Sequence, residues 1–180
     1  MASKHDVIIA GLGLAGLNAL HALKGRGLNI LVLDENRSPG GQYVRSVSST
    51  LGVDSRPIHD QLKRDGYRQT QELDLPGVSR KQGCQIIGLE GGRDIWALGN
   101  DGQIEQHRAE HIILATGARE CFMPFPGWTL PGVISTGAAQ ILIKSAGMLP
   151  GQNTMVAGAG PLPLALAGEI SATGARVRAY

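Results

Sequence analysis

The residues that most constrain this chain are Val7-Ile8-Ile9-Ala10-Gly11-Leu12-Gly13-Leu14-Ala15-Gly16, a short apolar run that breaks into a Gly-x-Gly-x-x-Gly turn. The turn leads into Leu14 to Lys24, where Leu17, Leu20 and Leu23 fall on one stripe of a helix. About 20 residues further on, a second apolar run, Ile30-Leu31-Val32-Leu33, ends on Asp34 and Glu35. Strand, turn, helix, strand and acid in this order make a βαβ unit of the dinucleotide-binding kind. Each part has a mechanical reason. Gly11 permits the tight turn, Gly13 has no Cβ to keep a pyrophosphate off the backbone, and Gly16 lets the helix lie close to the strand. The amides of Leu14, Ala15 and Gly16 open the helix and face the anion with its positive end. A carboxylate at Asp34 accepts both hydroxyls of an adenosine ribose.

After Asp34-Glu35 comes the turn-rich Asn36-Arg37-Ser38-Pro39-Gly40-Gly41-Gln42. It is either a simple turn or a second close approach to the same ligand, because Gly40 and Gly41 offer amides without side-chain bulk. From Pro57 to Leu73 the spacing of Ile58, Leu62 and Tyr67 predicts an exposed helix, ended by Pro76-Gly77. Cys84 to Leu89, Asp94 to Leu98 and Gln103 to Arg108 read as strands, the last two joined by an Asn100-Asp101-Gly102 turn. This antiparallel meander, about 84–110, stands where a plain nucleotide fold places its next helix, an arrangement more usual in flavin-binding domains. Ile112 to Ala118 reads as a buried parallel strand whose end, Ala115-Thr116-Gly117, is small enough for a cofactor's edge. A helix is expected from about Thr136 to Met148, with Ile141, Leu142 and Ser145 on one side.

The tail repeats the opening. Gly158-Ala159-Gly160-Pro161-Leu162-Pro163 lies 147 residues after the first turn, between an apolar run and the helical Leu164 to Thr173. Ala175 to Tyr180 begins another strand. Pro163 replaces the third glycine, and Pro161 and Pro163 each remove an amide, so this second site is incomplete. The expected class is α/β: a parallel sheet with the meander over 1–150, then the opening elements of a second nucleotide fold over 151–180.

A net charge of +2 without a run of like charges, and aromatics at 4%, give no reason to expect a nucleic acid partner. Cys84 and Cys121, 37 residues apart, make no CxxC pair and no disulfide framework, which fits a reducing cytoplasm. No signal peptide or transmembrane segment is expected; attachment to the inner membrane through a partner stays open. Cys84 reads as a core residue, and Cys121 as either a loop thiol or a reactive one. His107 and His111 lie in strand-like alternation with no third ligand, so no metal site is expected. Arg45 and Arg119 either meet an anionic group or are solvated. No hydrolytic elbow and no general base can be named from the residues, so the catalytic residues stay unknown.

With the Pro39-Gly40-Gly41-Gln42 loop, Ala115-Thr116-Gly117-Ala118-Arg119-Glu120, Pro124 to Val133 and Gly137-Ala138-Ala139-Gln140 in place, the chain resembles a family. It is similar to the pyridine nucleotide-disulfide oxidoreductase type, closest to the larger subunits of hydrogen cyanide synthase, opine oxidase and related amino acid dehydrogenases, over their N-terminal part only. The resemblance implies FAD, with its pyrophosphate on Gly11, Gly13 and Gly16 and its ribose on Asp34, Glu35 being the second candidate. Gly41 and Gln42 lie along the cofactor in this reading, and Ala115, Thr116 and Gly117 near it. It also implies an amine, amino acid or opine-like substrate, transfer of its reducing equivalents to flavin, and a partner subunit. NAD(P) is a possible second cofactor. The alternatives are a truncated, non-catalytic dinucleotide-binding module or a gene fragment.

Overall fold

A computed structural model of the chain describes residues 3–44, 61–121 and 123–179. Their contacts gather them into two units, one of residues 3–44 and 61–117, the other of the described residues from 118 onward.

The first unit is built on a six-stranded sheet. Its elements in chain order are β1 (Ser3–Ala10), α1 (Leu14–Leu23), β2 (Ile30–Asp34), α2 (Gly41–Val44), α3 (Gln61–Gln71), β3 (Val78–Gln82), β4 (Gln85–Glu90), β5 (Asp94–Leu98) and β6 (Ile104–Leu114). The strand order is β3-β2-β1-β6-β5-β4. The apolar runs of β1 and β2 arise because both of their faces are covered. Val7, Ile9, Ile30 and Val32 pack with Leu12, Leu17 and Leu20 beneath α1, joined by Leu73. Ile8, Ala10, Leu31 and Leu33 face the other way, against Ile95, Ala97 and Ala109 of the meander. Each such large side chain removed from water contributes about 1.5–3 kcal/mol, so burial on two faces makes β1 and β2 the anchor of the unit.

Three details depart from the sequence reading. β3 carries no strand signal. Its residues, Val-Ser-Arg-Lys-Gln, are half-buried at the ends and exposed between them, and parallel pairing to β2 (Ile30↔Val78 to Asp34↔Gln82) holds the strand in place. β6 is one strand where the residues suggest two segments. It pairs antiparallel with β5 from Leu98↔Ile104 to Asp94↔Arg108 and parallel with β1 from Ser3↔His107 to Ala10↔Leu114, so the meander and the parallel sheet are continuous. The end of β6 is less buried than a central strand should be: Ile112 and Ile113 are half-buried and Leu114 is exposed. The α3 helix is expected from Pro57; its residues before 61 lie outside the described ones. The Asn100-Asp101-Gly102 turn forms as its residues require, with the Gly99 amide donating to Gln103 O (2.9 Å) and the Gln103 amide to Asp101 Oδ1 (3.0 Å).

The second unit holds α4 (Thr136–Ile141), continued by a π-helical turn to Ala146, then β7 (Asn153–Val156), α5 (Pro161–Ser171) and β8 (Arg176–Ala179). Ser135 caps α4, its hydroxyl accepting from the Ala138 amide at 3.0 Å. β7 and β8 pair in parallel from Asn153↔Arg176 to Val156↔Ala179, with α5 between them in the chain. The tail is therefore a βαβ unit, as its repeat of the opening predicts. Its core is Ala139, Ile143, Val156, Leu166, Ile170 and Ala175. The packed side of α4 is thus Ala139 and Ile143. Ile141, grouped by the sequence on one side with Leu142 and Ser145, is half exposed, because it lies about half a turn from both Ala139 and Ile143. Among the described residues, no helix is long and apolar enough to cross a membrane.

Candidate functional site

In the first unit, β2 and β3 lie on one side of β1, and β6 with the meander on the other. The chain therefore reverses its direction of travel between β1 and β6, and the carboxyl ends of these two parallel strands form the crevice where open α/β sheets take ligands. The glycine turn after β1 and the Ala115-Thr116-Gly117 segment after β6 both lie at this edge.

Gly11 and Gly16 of the turn are required by what surrounds them. Gly11 has φ +103°, and a Cβ there would stand 2.3 Å from the carbonyl oxygen of Ala115. That closeness exists because the Ala115 amide donates to Ala10 O at 2.8 Å, extending the β1–β6 ladder into the turn. A Cβ on Gly16 would stand 1.9 Å from Gly11 O, so only glycine lets α1 sit this close to the turn. Gly13 caps α1 in extended conformation with no side-chain cap, and its carbonyl accepts the first helical bond from the Leu17 amide (2.9 Å). The amides of Leu14, Ala15 and Gly16 precede that bond and have no acceptor within the helix. An anion is the natural partner for three such amides at a helix's positive end.

The loop after β2 comes back to this turn. The Gly40 amide donates to Leu12 O at 2.8 Å. Gly41 has φ +59°, and a Cβ on it would lie 2.8 Å from the Cα of Gly13. The structure thus brings Gly11, Gly13, Gly16, Gly41 and Ala115 together from three separate stretches, around a backbone cradle that any side chain would fill. Gln42 follows on α2, exposed. Thr116 and Gly117 are exposed beyond the end of β6, and Gly117 (φ +73°) has nothing within 4 Å of where its Cβ would be. This cradle fits an extended pyrophosphate ligand such as FAD.

The two neighbouring carboxylates at the end of β2 differ sharply. Asp34 is 5% exposed. One of its oxygens accepts from the Leu12 amide and the other from the Asn36 amide at 2.6 Å. Its carboxylate therefore ties the glycine turn to the loop that carries Gly40 and Gly41. Glu35, the next residue, is exposed. The sequence favours Asp34 of the two as the ribose partner, with Glu35 second.

A second group of ionisable side chains lies on the meander. Lys81 donates to Glu105, and this bond holds the Glu105 carboxyl below its usual range. His107 is 4% exposed, with Nε2 at 3.0 Å from Glu105 Oε2 and its ring 6.2 Å from that of His5. Burial, with Lys81 adding to it, pushes the His107 imidazole below its ordinary value. Asp94, also buried, pairs with Arg108 at 2.6 Å, which raises the guanidinium further. Burial pushes the Cys84 thiol up, so it is packed as an unreactive thiol. Cys121 is exposed. Among the described residues no group of three His, Cys, Asp or Glu side chains converges. Arg45 lies outside the described residues.

Comparison with known proteins bears on this site. The model of the family described as pyridine nucleotide-disulphide oxidoreductase matches residues 5–179. The A subunit of opine oxidase from Rhizobium meliloti is 35% identical over 171 residues, which are 95% of this chain and 37% of that protein. The hydrogen cyanide synthase subunit HcnB of Pseudomonas aeruginosa is 35% identical over 176 residues, 94% of this chain and 37% of that one. The chain thus spans little more than a third of these relatives. Among solved structures, L-proline dehydrogenase from P. horikoshii shares the fold at a TM-score of 0.78 and 19% identity, over 99% of this chain and 36% of that one. The flavoprotein disulfide reductase RclA of Escherichia coli does so at 0.69 and 18%, over 98% and 42%.

Proposed function

This chain belongs to the pyridine nucleotide-disulphide oxidoreductase family, and on that premise we propose that it is the FAD-holding part of an oxidoreductase subunit. The substrate in this reading is an amine, amino acid or opine-like molecule, and a second, partner polypeptide shares the work. The observation that carries the reading is the cradle of Gly11, Gly13, Gly16 and Gly41, closed from behind by Ala115. The amides of Leu14, Ala15 and Gly16 hold the pyrophosphate. Asp34, at the end of β2, holds the ribose hydroxyls with the acceptor capacity its two backbone amides leave open, and it also positions the turn; the exposed Glu35 is the second candidate. Gly41 and Gln42 line one side, and Ala115, Thr116 and Gly117 the end nearer the redox ring. The division into an FAD-binding domain over 1–150 and nucleotide-fold elements over 151–180 belongs to the same proposal.

When bound, FAD supplies the hydride acceptor; the chain supplies binding, orientation and exclusion of water. The substrate class rests on the relatives named for opine oxidase and hydrogen cyanide synthase, at 35% identity. Their names as subunits support the partner. The test is anaerobic mixing of the flavin-loaded protein, purified from its own cells, with an N-substituted amino acid, a primary amino acid and a 2-hydroxy acid. Bleaching of the flavin by either amine supports the proposal. Bleaching by the hydroxy acid alone overturns the substrate class, and flavin uptake with no bleaching selects the non-catalytic module.

A further inference from the structure

Nicotinamide dinucleotide is the other group a chain of this family is expected to hold, and the turn from Gly158 to Pro163 is the place for its pyrophosphate. The residues there do not fit it. α5 begins at Pro161, so the three amides that should face an anion belong to positions 161, 162 and 163. Two of these are prolines, and only Leu162 keeps a donor. The helix itself survives, because proline in a first turn meets no carbonyl behind it. What is lost is the anion-binding function alone.

The geometry adds two further obstacles. Gly160 caps α5 at φ +93°, whereas Gly13 caps α1 at −77°. The reversed sign of φ turns the peptide entering the helix the other way, so the turn's own amide is redirected as well. The third-glycine place is also filled. At the first turn Gly16 lets the helix touch Gly11 O; at the second, the Pro163 ring stands over the turn, its Cγ 3.2 Å from where a Cβ of Gly158 would be. Among the described residues no other backbone closes the second turn: nothing lies within 4 Å of a Cβ built on Gly160, whereas Gly41 approaches Gly13.

We infer that the second glycine turn serves to start α5 and does not hold the pyrophosphate of NAD(P). This goes beyond the flavin reading, which concerns the first turn alone. The core of the unit is made further along α5, by Leu166 and Ile170 against Val156 and Ala139. Prolines in the first turn narrow the unfolded chain, which favours the start of the helix.

The test is calorimetric titration of the flavin-loaded chain with NADH and, separately, NADPH. Flavin content is read independently from the visible absorbance, so failure of the flavin reading is seen apart from failure of this one. No saturable binding is expected up to about 1 mM nucleotide. A micromolar Kd for either overturns the inference. The variant P161A/P163G restores both donors and removes the ring, and at least a tenfold tightening for NADH is expected. If the double variant does not fold, P161A restores one donor at a position that tolerates it, with about a threefold tightening expected. Unchanged affinity in a folded variant overturns the assignment to the prolines.

Discussion

The two glycine turns of this chain have the same first and second glycines and lead into helices of similar length, yet they are built for different purposes. The first is surrounded by backbone: Ala115 O behind Gly11, Gly41 in front of Gly13, and Gly11 O against Gly16. The second has a proline ring at the third position and, among the described residues, no neighbour over Gly160. A glycine pattern is therefore only a permission. What makes it a site is the set of other segments that come close because glycine lets them.

The largest effect that would sharpen this comparison comes from the third position of each turn. Gly16→Val puts carbon against Gly11 O, backbone that cannot yield without lifting α1, and should destabilise the chain by about 3 kcal/mol and abolish flavin uptake. Pro163→Ala should stay within about 1 kcal/mol, because α5 already starts two residues earlier. Urea unfolding of both measures this, and equal losses would break the contrast.

Next is the pair at the end of β2. Asp34→Ala leaves two amides at a buried position without their acceptor and should cost about 2 kcal/mol. Glu35→Gln should leave stability within about 0.5 kcal/mol and flavin binding within about twofold. A roughly tenfold loss of affinity in Glu35→Gln would move the ribose to Glu35. A smaller loss, about 1 kcal/mol, is expected for Gly41→Ala, whose φ of +59° disfavours a side chain, and its Cβ would press on Gly13 and weaken flavin binding.

The smallest effect is a pH dependence confined to the meander of the first unit. His107 has a folded-state value below its ordinary 6.5, so the folded chain binds fewer protons than the unfolded one around that pH. The stability it contributes is present above pH 6.5 and is lost as the pH falls below it. Glu105 adds a second loss below its ordinary 4.5, as protons compete with Lys81. Thermal unfolding against pH measures this. His107→Gln should flatten the first step and leave the second, and an unchanged first step would contradict the account.

Much of this architecture is legible in the residues, and what is not has physical causes. β1, α1 and β2 announce themselves because burial on two faces selects unbroken apolar runs, and the turn forces glycine. β3 does not, because backbone pairing alone holds its polar residues. β6 reads as two strands because β5 pairs with its start alone, and its pattern alters from alternating to apolar. The π turn that continues α4 is announced by no residue. That Gly41 and Ala115 leave room for a ligand is readable in the residues; their close approach to the first turn is not. Asp34 and Glu35 are adjacent, and extended backbone sends adjacent side chains to opposite faces, so the double role of Asp34, tied to both the turn and the loop, is not legible in spacing alone.

The account rests on the first turn as the seat of a flavin dinucleotide, and equilibrium titration of the chain with FAD, followed by quenching of flavin fluorescence, tests it most directly. Saturation at one FAD per chain, lost in Gly16→Val and kept in Pro163→Ala, is the predicted result. A chain that stays colourless and quenches no flavin, or one that binds equally well in both variants, would contradict it.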